Sequence, residues 1–213
     1  MNPPVAPVTD GTPRISRPGE PTWEVTEFFP CQGDWTEEDY LALDTGRLVE
    51  LSDGRLEVLP MPTLFHQLIV KLLSDRLTAF VASRGLGWVA FAPLPIRLRP
   101  GRYREPDVVF LRPERVRDMH GQPEGADLVI EVVSEGEENR ERDLRVKRRE
   151  YAEAAVGEYW IVDPQQRQIT VLSLEGDAYR QAGCFGLGQA AVSAAFPEFS
   201  VSVDDVFAAG AGT

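Results

Sequence analysis

The stretch DLVIEVV, Asp127 to Val133, places a glutamate in the middle of an apolar run. Five of its seven residues are Leu, Val or Ile. Such a run predicts a strand that is covered on both faces. The glutamate, Glu131, would then have to ionise in a dry environment, which is costly unless a cation lies beside it. The sequence therefore has to supply a partner for this carboxylate.

The chain around this strand alternates between helical and extended patterns. Apolar residues recur at helical spacing from His66 to Arg84, Gly85 is a suitable C-terminal cap, and a second helix is predicted over residues 139–155. Strand patterns cover residues 87–93, 94–99, 107–111, 127–133, 158–163 and 168–174. This order of elements predicts an α/β (α+β) domain with a mixed central sheet flanked by helices.

Upstream of the first long helix, LVELSDGRLEVLP reads as two short strands around Asp53–Gly54. Asp-Gly between alternating apolar residues is a strong signal for a two-residue hairpin turn. The register that follows sets Glu50 directly opposite Glu57, and like charges in that position repel. Glu50 should therefore lie either on a solvated face or near a cation, and both interpretations stay open.

Two further residues are expected near Glu131. Asp107 follows Pro106 at the start of an apolar strand. Lys147 lies three residues after Leu144 and four before Tyr151, which places it on the buried face of the second helix. Two carboxylates on neighbouring strands can hold Mg²⁺ or Mn²⁺, and a nearby lysine can stabilise charge on a phosphoryl group.

The same trio allows a plainer interpretation. Asp107, Glu131 and Lys147 could form a structural ion-pair network, which is stable only when it is complete. Lys147 also follows Asp143 by four residues, the spacing of an ordinary helical salt bridge.

Four segments carry a resemblance to a known family: VELSDGRLEVLP, PDVVFL, DLVIEVVS and RDLRVKRREYAEAAVGEYWIVDP. Together they resemble the bacterial restriction-endonuclease-like family, formerly a domain of unknown function, of the PD-(D/E)XK nuclease superfamily. The similarity extends from about residue 36 to residue 207. It implies a restriction-endonuclease-like core in which Asp107 and Glu131 bind the metal. We expect the Val132 carbonyl to be a further ligand.

The resemblance also assigns the remaining candidates. The superfamily motif has a lysine two residues after the glutamate, where this chain has Val133; in this family the lysine lies on the following helix, which fits Lys147. Glu50 matches a further acidic position, and His66 matches a recurrent histidine at the start of the long helix. Tyr151 is expected to pack behind Lys147 as an accessory residue.

The charge distribution bears on the partner. The net charge is −12, yet the segment from Arg97 to Arg149 holds 13 basic and 12 acidic residues, so it repels a polyanion least. Within it, arginines alternate along an extended stretch, which predicts either a phosphate-contacting stripe or a solvated strand. These arginines are Arg97, Arg99, Arg102 and Arg104.

The amino-acid composition along the chain predicts how it divides into segments. We expect a proline-rich arm over residues 1–35, one nuclease-like domain over residues 36–207 and a flexible tail over residues 208–213. No run approaches the roughly 20 apolar residues that cross a bilayer, and the N-terminus does not resemble a signal peptide. Cys31 and Cys184 make no disulfide framework, which favours a reducing cytoplasm.

The combined interpretation is a Mg²⁺- or Mn²⁺-dependent endonuclease that hydrolyses nucleic acid, with DNA as the expected substrate. A homodimer is expected, because two such sites make a double-strand cut. The alternative is a catalytically inactive nuclease-fold module that binds a partner, which the net charge of −12 favours. Hydrolysis of small phosphodiesters is a third interpretation.

Overall fold

The computed structural model describes residues 29–44, 47–134, 136 and 140–209. Within them the strands are β1 Val49–Ser52, β2 Arg55–Val58, β3 Trp88–Phe91, β4 Ile96–Arg99, β5 Arg102–Arg104, β6 Val108–Leu111, β7 Leu128–Val132, β8 Glu158–Asp163, β9 Gln168–Glu175, β10 Ala178–Phe185, β11 Ala190–Val192 and β12 Ser200–Ser202. The α-helices are α1 Glu37–Leu41, α2 Leu64–Arg84, α3 Lys147–Glu153 and α4 Val203–Ala209. A 3₁₀ turn covers Pro113–Arg115, and a π-helical segment, Arg142–Val146, runs directly into α3.

The centre of the fold is a six-stranded sheet in the order β10–β9–β8–β7–β6–β3. β7 and β8 are parallel, and the remaining neighbours in this sheet are antiparallel. The mixed sheet predicted from the order of elements is therefore confirmed. The stretch that contains Glu131 forms β7, and all five of its residues are buried, as expected for a strand that is covered on both sides.

Helices cover the two faces of this sheet. One face packs against α2 and α4, and it receives Ile130 and Val132 of β7. The opposite face packs against α3 and receives Val129 and Val133. Because side chains alternate along a strand, Glu131 points toward α3. The long helix α2 starts at the Thr63 cap and ends at Gly85, whose φ of 62° is left-handed.

A second, four-stranded sheet in the order β2–β1–β5–β4 lies beside the main one. Its first hairpin has the predicted register, with Glu50 opposite Glu57 and Leu51 opposite Leu56. A Gln32 side chain and the backbone amides of Gly33 and Trp35 hydrogen-bond to this hairpin.

The arginine stretch does not form the single alternating strand on which both interpretations rested. A turn at Pro100–Gly101 divides it into β4 and β5. Each arginine then pairs with a carboxylate from elsewhere in the chain. The pairs are Arg97–Glu37, Arg99–Asp53, Arg102–Asp53, Arg102–Glu150, Arg104–Glu50, Arg104–Glu57 and Arg104–Glu150.

Most of the predicted arm, residues 1–28, and residues 210–213 of the predicted tail lie outside the described residues. None of the helices in the described part of the chain is long and apolar enough to cross a membrane.

Candidate active site

Glu131 and Asp107 face each other across two neighbouring strands. β6 pairs with β7 so that Val108 lies opposite Ile130, and one step further along this register Asp107 lies opposite Glu131. The Val132 amide donates a hydrogen bond to Asp107 Oδ2 at 2.7 Å. This bond fixes the Asp107 carboxylate at the end of β7, beside the backbone that follows Glu131.

The partner of Glu131 is Lys147. Its Nζ atom lies 2.8 Å from Glu131 Oε1, and the Tyr151 hydroxyl donates to the same oxygen at 2.5 Å. Glu131 is 3% exposed and Lys147 is 2% exposed. The predicted inward orientation of Lys147 is confirmed, and Tyr151 packs beside it as expected.

The helix that carries Lys147 begins with an irregular turn. The Lys147 amide donates to the Arg142 carbonyl, five residues earlier, as in a π-helix. Asp143 remains on the inner face, where its Oδ1 atom lies 3.4 Å from Lys147 Nζ. The helical salt bridge considered from the sequence is thus present, but it accompanies the shorter contact with Glu131.

His66 reaches the same place from the other side of the sheet. It lies in the first turn of α2, where its amide donates to the Thr63 hydroxyl. Its Nε2 atom lies 3.3 Å from Asp107 Oδ2 and 3.2 Å from the Val132 carbonyl oxygen. Among the described residues, the buried Nδ1 atom of His66 has no hydrogen-bond partner.

Glu50 lies behind Lys147 rather than on a solvated face. It is fully buried, and its Oε2 atom accepts from Arg104 at 3.1 Å. Its Oε1 atom accepts from the Glu105 amide at 3.1 Å and lies 3.9 Å from Lys147 Nζ. Of the two interpretations left open by the sequence, proximity to a cation is the one that the structure supports.

These side chains open into one cleft between the two sheets. The ionisable groups that line it are His66, Glu105, Asp107, Glu131, Arg142, Asp143 and Lys147. The structure therefore brings together Asp107, Glu131, the Val132 backbone and Lys147, with His66 at the rim. Glu50 and Tyr151 lie directly behind the cleft rather than along its wall.

A known protein family matches most of the chain. Residues 37–204 match the Uma2 family, which is described as "Putative restriction endonuclease". The chain belongs to the Uma2 family. The restriction-endonuclease-like resemblance found in the sequence is confirmed.

A solved structure shares the fold of this Uma2 protein. It is described as the crystal structure of "a putative nuclease belonging to DUF820" from Anabaena variabilis. The match covers 83% of this chain and 99% of the other, with a TM-score of 0.67 and 17% sequence identity. No curated protein matches the chain.

Burial and the charge of the ion-pair partner act in opposite directions on the pKa of Glu131 and on that of Lys147. Burial raises the pKa of Glu131, while Lys147 opposes the shift by favouring the carboxylate. Burial would lower the pKa of Lys147, yet Glu131, Glu50 and Asp143 together raise it. Lys147 is therefore held as an ammonium ion by three carboxylates.

The groups at the edge of the cleft are shifted as well. Burial acts to lower the pKa of His66, but the hydrogen bond and the charge of Asp107 raise it overall. Burial and the nearby charge of Glu50 raise the pKa of Glu105 to about 7. Among the described residues, the Oε2 atom of Glu105 has no hydrogen-bond partner.

The oxygen atoms of this site suit a hard divalent cation that takes only a few ligands from the protein. Within the described residues, no group of three or more His, Cys, Asp or Glu side chains is placed to hold a metal ion. Asp107 and Glu131 supply two carboxylates, and Val132 adds a carbonyl. Mg²⁺ is commonly held by one or two carboxylates and keeps several waters. His66 Nε2, within hydrogen-bond distance of Asp107 and the Val132 carbonyl, lies where positive charge is favoured.

Sequence reasoning missed several residues of the cleft and its support. Glu105 and Arg142 line the cleft, and the fully enclosed Arg104 joins Glu50 to Glu150 of α3. Helical spacing could have revealed Glu150, because it lies three residues after Lys147 on the same face. No local pattern distinguishes Glu105 or Arg142.

Proposed function

We propose that this Uma2 protein is a metal-dependent endonuclease-like phosphodiesterase that hydrolyses nucleic acid, with DNA as its substrate. The observation that supports this most strongly is the meeting of Asp107, Glu131 and buried Lys147 in one cleft. Carboxylates of a structural ion-pair network do not need access to solvent. Here they line a small cleft that is open to solvent.

The proposed ligands of Mg²⁺ or Mn²⁺ are Asp107, Glu131 and the Val132 carbonyl. A cation bound there supplies Lewis-acid chemistry that neutralises charge on the phosphoryl oxygens. The Val132 amide holds the Asp107 carboxylate in place through Oδ2. His66 contacts two members of this set, so we assign it the accessory role of holding them together when no cation is bound.

In the proposed reaction a water oxygen forms a bond to phosphorus while the bond to the leaving sugar oxygen breaks in line with it. Lys147 carries the positive charge that stabilises the phosphoryl oxygens and orients the water. Tyr151 donates to Glu131 and keeps it facing Lys147. Glu50 engages Arg104 and the Glu105 amide, which favours a positioning role in which its charge holds Lys147 as a cation.

A plasmid-cleavage assay with Mn²⁺ tests the proposal. Glu131→Gln and Lys147→Met should each lower the cleavage rate at least about 100-fold, the usual effect of removing an electrostatic catalytic group. The control is Lys71→Met, which removes a lysine from the exposed Lys71–Asp75 pair. Full Mn²⁺-dependent cleavage by both site variants would overturn the assignment.

Calorimetric titration of Mn²⁺ separates catalysis from binding. The wild-type protein should bind Mn²⁺, and Asp107→Asn should not. A protein that binds DNA but neither binds Mn²⁺ nor cleaves would be an inactive nuclease-fold module.

The proposed homodimer is tested by sedimentation of the protein and by the products of plasmid cleavage. Two sites that act together should release linear plasmid without accumulating nicked circles.

A further inference from the structure

Arg142 differs from the other arginines on its helical segment. Arg140 donates two hydrogen bonds to Asp163, at 3.1 and 2.6 Å, and Arg145 pairs with Glu141 at 3.2 Å. Arg148 donates to the Tyr179 carbonyl at 3.0 Å, and Arg149 lies 3.7 Å from Glu153. Arg140, Arg145 and Arg148 are thus hydrogen-bonded to groups of the protein, and Arg149 has a side chain that is 71% exposed to water.

The Arg142 side chain is largely enclosed, at 19% exposure, yet its contact with a carboxylate is long. Its Nε atom is buried and, among the described residues, has no hydrogen-bond partner. The carboxylate that it approaches is Asp143, at 3.8 Å, which is beyond hydrogen-bond distance. Asp143 also lies closer to Lys147, at 3.4 Å.

The π-helical turn directs this arginine into the cleft. In a regular α-helix, residues five apart are rotated by about 140° from one another. Arg142 and Lys147 would then point in different directions. The π turn instead bonds the Lys147 amide to the Arg142 carbonyl, and both side chains line the same cleft. The π turn thus places a second cationic side chain, that of Arg142, in the cleft beside Lys147.

The charges around the cleft define what this cation can bind. Lys147 lies within 4.0 Å of three carboxylates, those of Glu131, Asp143 and Glu50, whereas among the described residues Arg142 approaches Asp143 alone. Arg142 is 19% exposed at its side chain, which leaves its end accessible from the cleft. A guanidinium fork matches the oxygens of a phosphate group.

We propose that Arg142 is a substrate-binding residue that contacts a phosphate of the nucleic-acid strand lying in the cleft. This inference rests on the proposed function, because it takes the cleft to be the place where the strand is bound. It adds a phosphate contact on the π-helical turn, separate from the metal ligands and from Lys147.

The test is the binding of a short fluorescein-labelled DNA duplex in EDTA, measured by anisotropy at several KCl concentrations. Arg142→Gln should bind about tenfold more weakly, the effect of losing one charge-assisted hydrogen bond. The slope of log K against log salt should become shallower by about 0.9, because one phosphate is no longer neutralised. Arg142→Lys should keep the wild-type slope, since it retains the charge.

Arg145→Gln is the matched control, since it removes an arginine from the same turn whose side chain is 78% exposed. It should leave the affinity and the slope unchanged. Wild-type affinity in Arg142→Gln, an equal loss in Arg145→Gln, or no duplex binding by the wild type would each overturn the inference. If Arg142→Gln does not fold, Arg142→Lys tests the proposal instead. Its slope of log K against log salt should equal that of the wild type, and a slope shallower by about 0.9 would contradict the proposal.

The two proposals fail in different ways. A wild-type protein that binds the duplex through Arg142 but does not cleave it with Mn²⁺ would overturn the hydrolysis and leave the phosphate contact standing. Mn²⁺-dependent cleavage together with unchanged duplex binding by Arg142→Gln would do the reverse.

Discussion

Lys147 Nζ lies 2.8 Å from Glu131 Oε1, and both side chains are almost completely enclosed. Each favours the charged form of the other against the effect of burial, because an unpaired ion in this environment would be far more costly than a paired one. The pair also explains how a glutamate can occupy the middle of an apolar strand. Because the two charges are paired between the sheet and α3, the cleft can hold several ionisable groups close together while the protein stays folded.

We expect the two single variants of this pair to destabilise the protein. Lys147→Met leaves Glu131 buried without its cation, and Glu131→Gln leaves the ammonium without its nearest carboxylate. Each should lower the free energy of unfolding by about 3–5 kcal/mol, as measured by urea denaturation. The double variant Glu131→Gln/Lys147→Met should cost clearly less than the two losses added together, because it removes both charges.

The exposed pair Lys71–Asp75, with an Nζ to Oδ2 distance of 2.5 Å, is the control for burial. Lys71→Met should change the free energy of unfolding by less than about 1 kcal/mol. Additive losses in the double variant would show that Glu131 and Lys147 do not stabilise each other.

The second prediction concerns His66, whose pKa is raised because Asp107 hydrogen-bonds and attracts the imidazolium. A raised histidine pKa contributes stability below the unfolded value of about 6.5 that is lost as pH rises through the folded value. NMR titration in EDTA should therefore show the His66 imidazole titrating above about 6.5. Asp107→Asn should lower this pKa, since it removes the negative charge.

The same NMR titration of His66 should be repeated with Mg²⁺ in place of EDTA. A cation held by Asp107 and the Val132 carbonyl would compete with the imidazolium for the same oxygens, so Mg²⁺ should lower the His66 pKa. His120, the other histidine, is exposed in a turn and should be unaffected by Mg²⁺. A His66 pKa that does not respond to Mg²⁺ would count against the proposed ligand set.

Local rules of chain geometry explain which features could be predicted from the sequence. A two-residue Asp-Gly turn allows one register, so the pairing of Glu50 with Glu57 followed directly. Helical spacing alone placed Lys147 on the inner face. Both predictions use only residues close together in the chain.

Features that depend on distant residues could not be predicted in this way. Arg104 is buried because Glu50 and Glu150 arrive from two other elements. β10 was missed because most of its side chains are exposed and its pairing with β9 is interrupted between Gln181 and Gly183, so it lacks regular apolar alternation. The π turn at Arg142 likewise has no local composition signal.

The third prediction concerns Glu105, whose pKa is raised to about 7 by burial and by the charge of Glu50. A raised carboxyl pKa means that the folded protein holds this proton more tightly than the unfolded chain does. Stability is therefore lost as pH rises from the unfolded value of about 4.3 through the folded value. Glu105→Gln removes this dependence, because the amide does not titrate.

Urea denaturation in EDTA checks this directly. Between about pH 5 and pH 8 the Glu105→Gln protein should gain about 2 kcal/mol relative to wild type. Glu114→Gln, at an exposed residue of the 3₁₀ turn, is the control and should follow the wild-type pH profile. Parallel profiles for Glu105→Gln and wild type would contradict the predicted shift.

The last prediction compares two arginines that make the same kind of contact in different surroundings. Arg104 donates two hydrogen bonds to Glu150, at 2.7 and 3.0 Å, and Arg99 donates two to Asp53, at 2.7 and 2.9 Å. Arg104 is 1% exposed, whereas the Arg99 side chain is 45% exposed. Arg104→Met removes the cation that joins the buried Glu50 and Glu150 carboxylates, leaving Glu150 with Arg102 and Glu50 with the more distant Lys147, so urea denaturation should show a loss of about 3 kcal/mol. Arg99→Met should cost less than about 1 kcal/mol, because water replaces the lost contacts. Equal losses would mean that burial does not determine how much the Arg104 network stabilises the attachment of α3 to the small sheet.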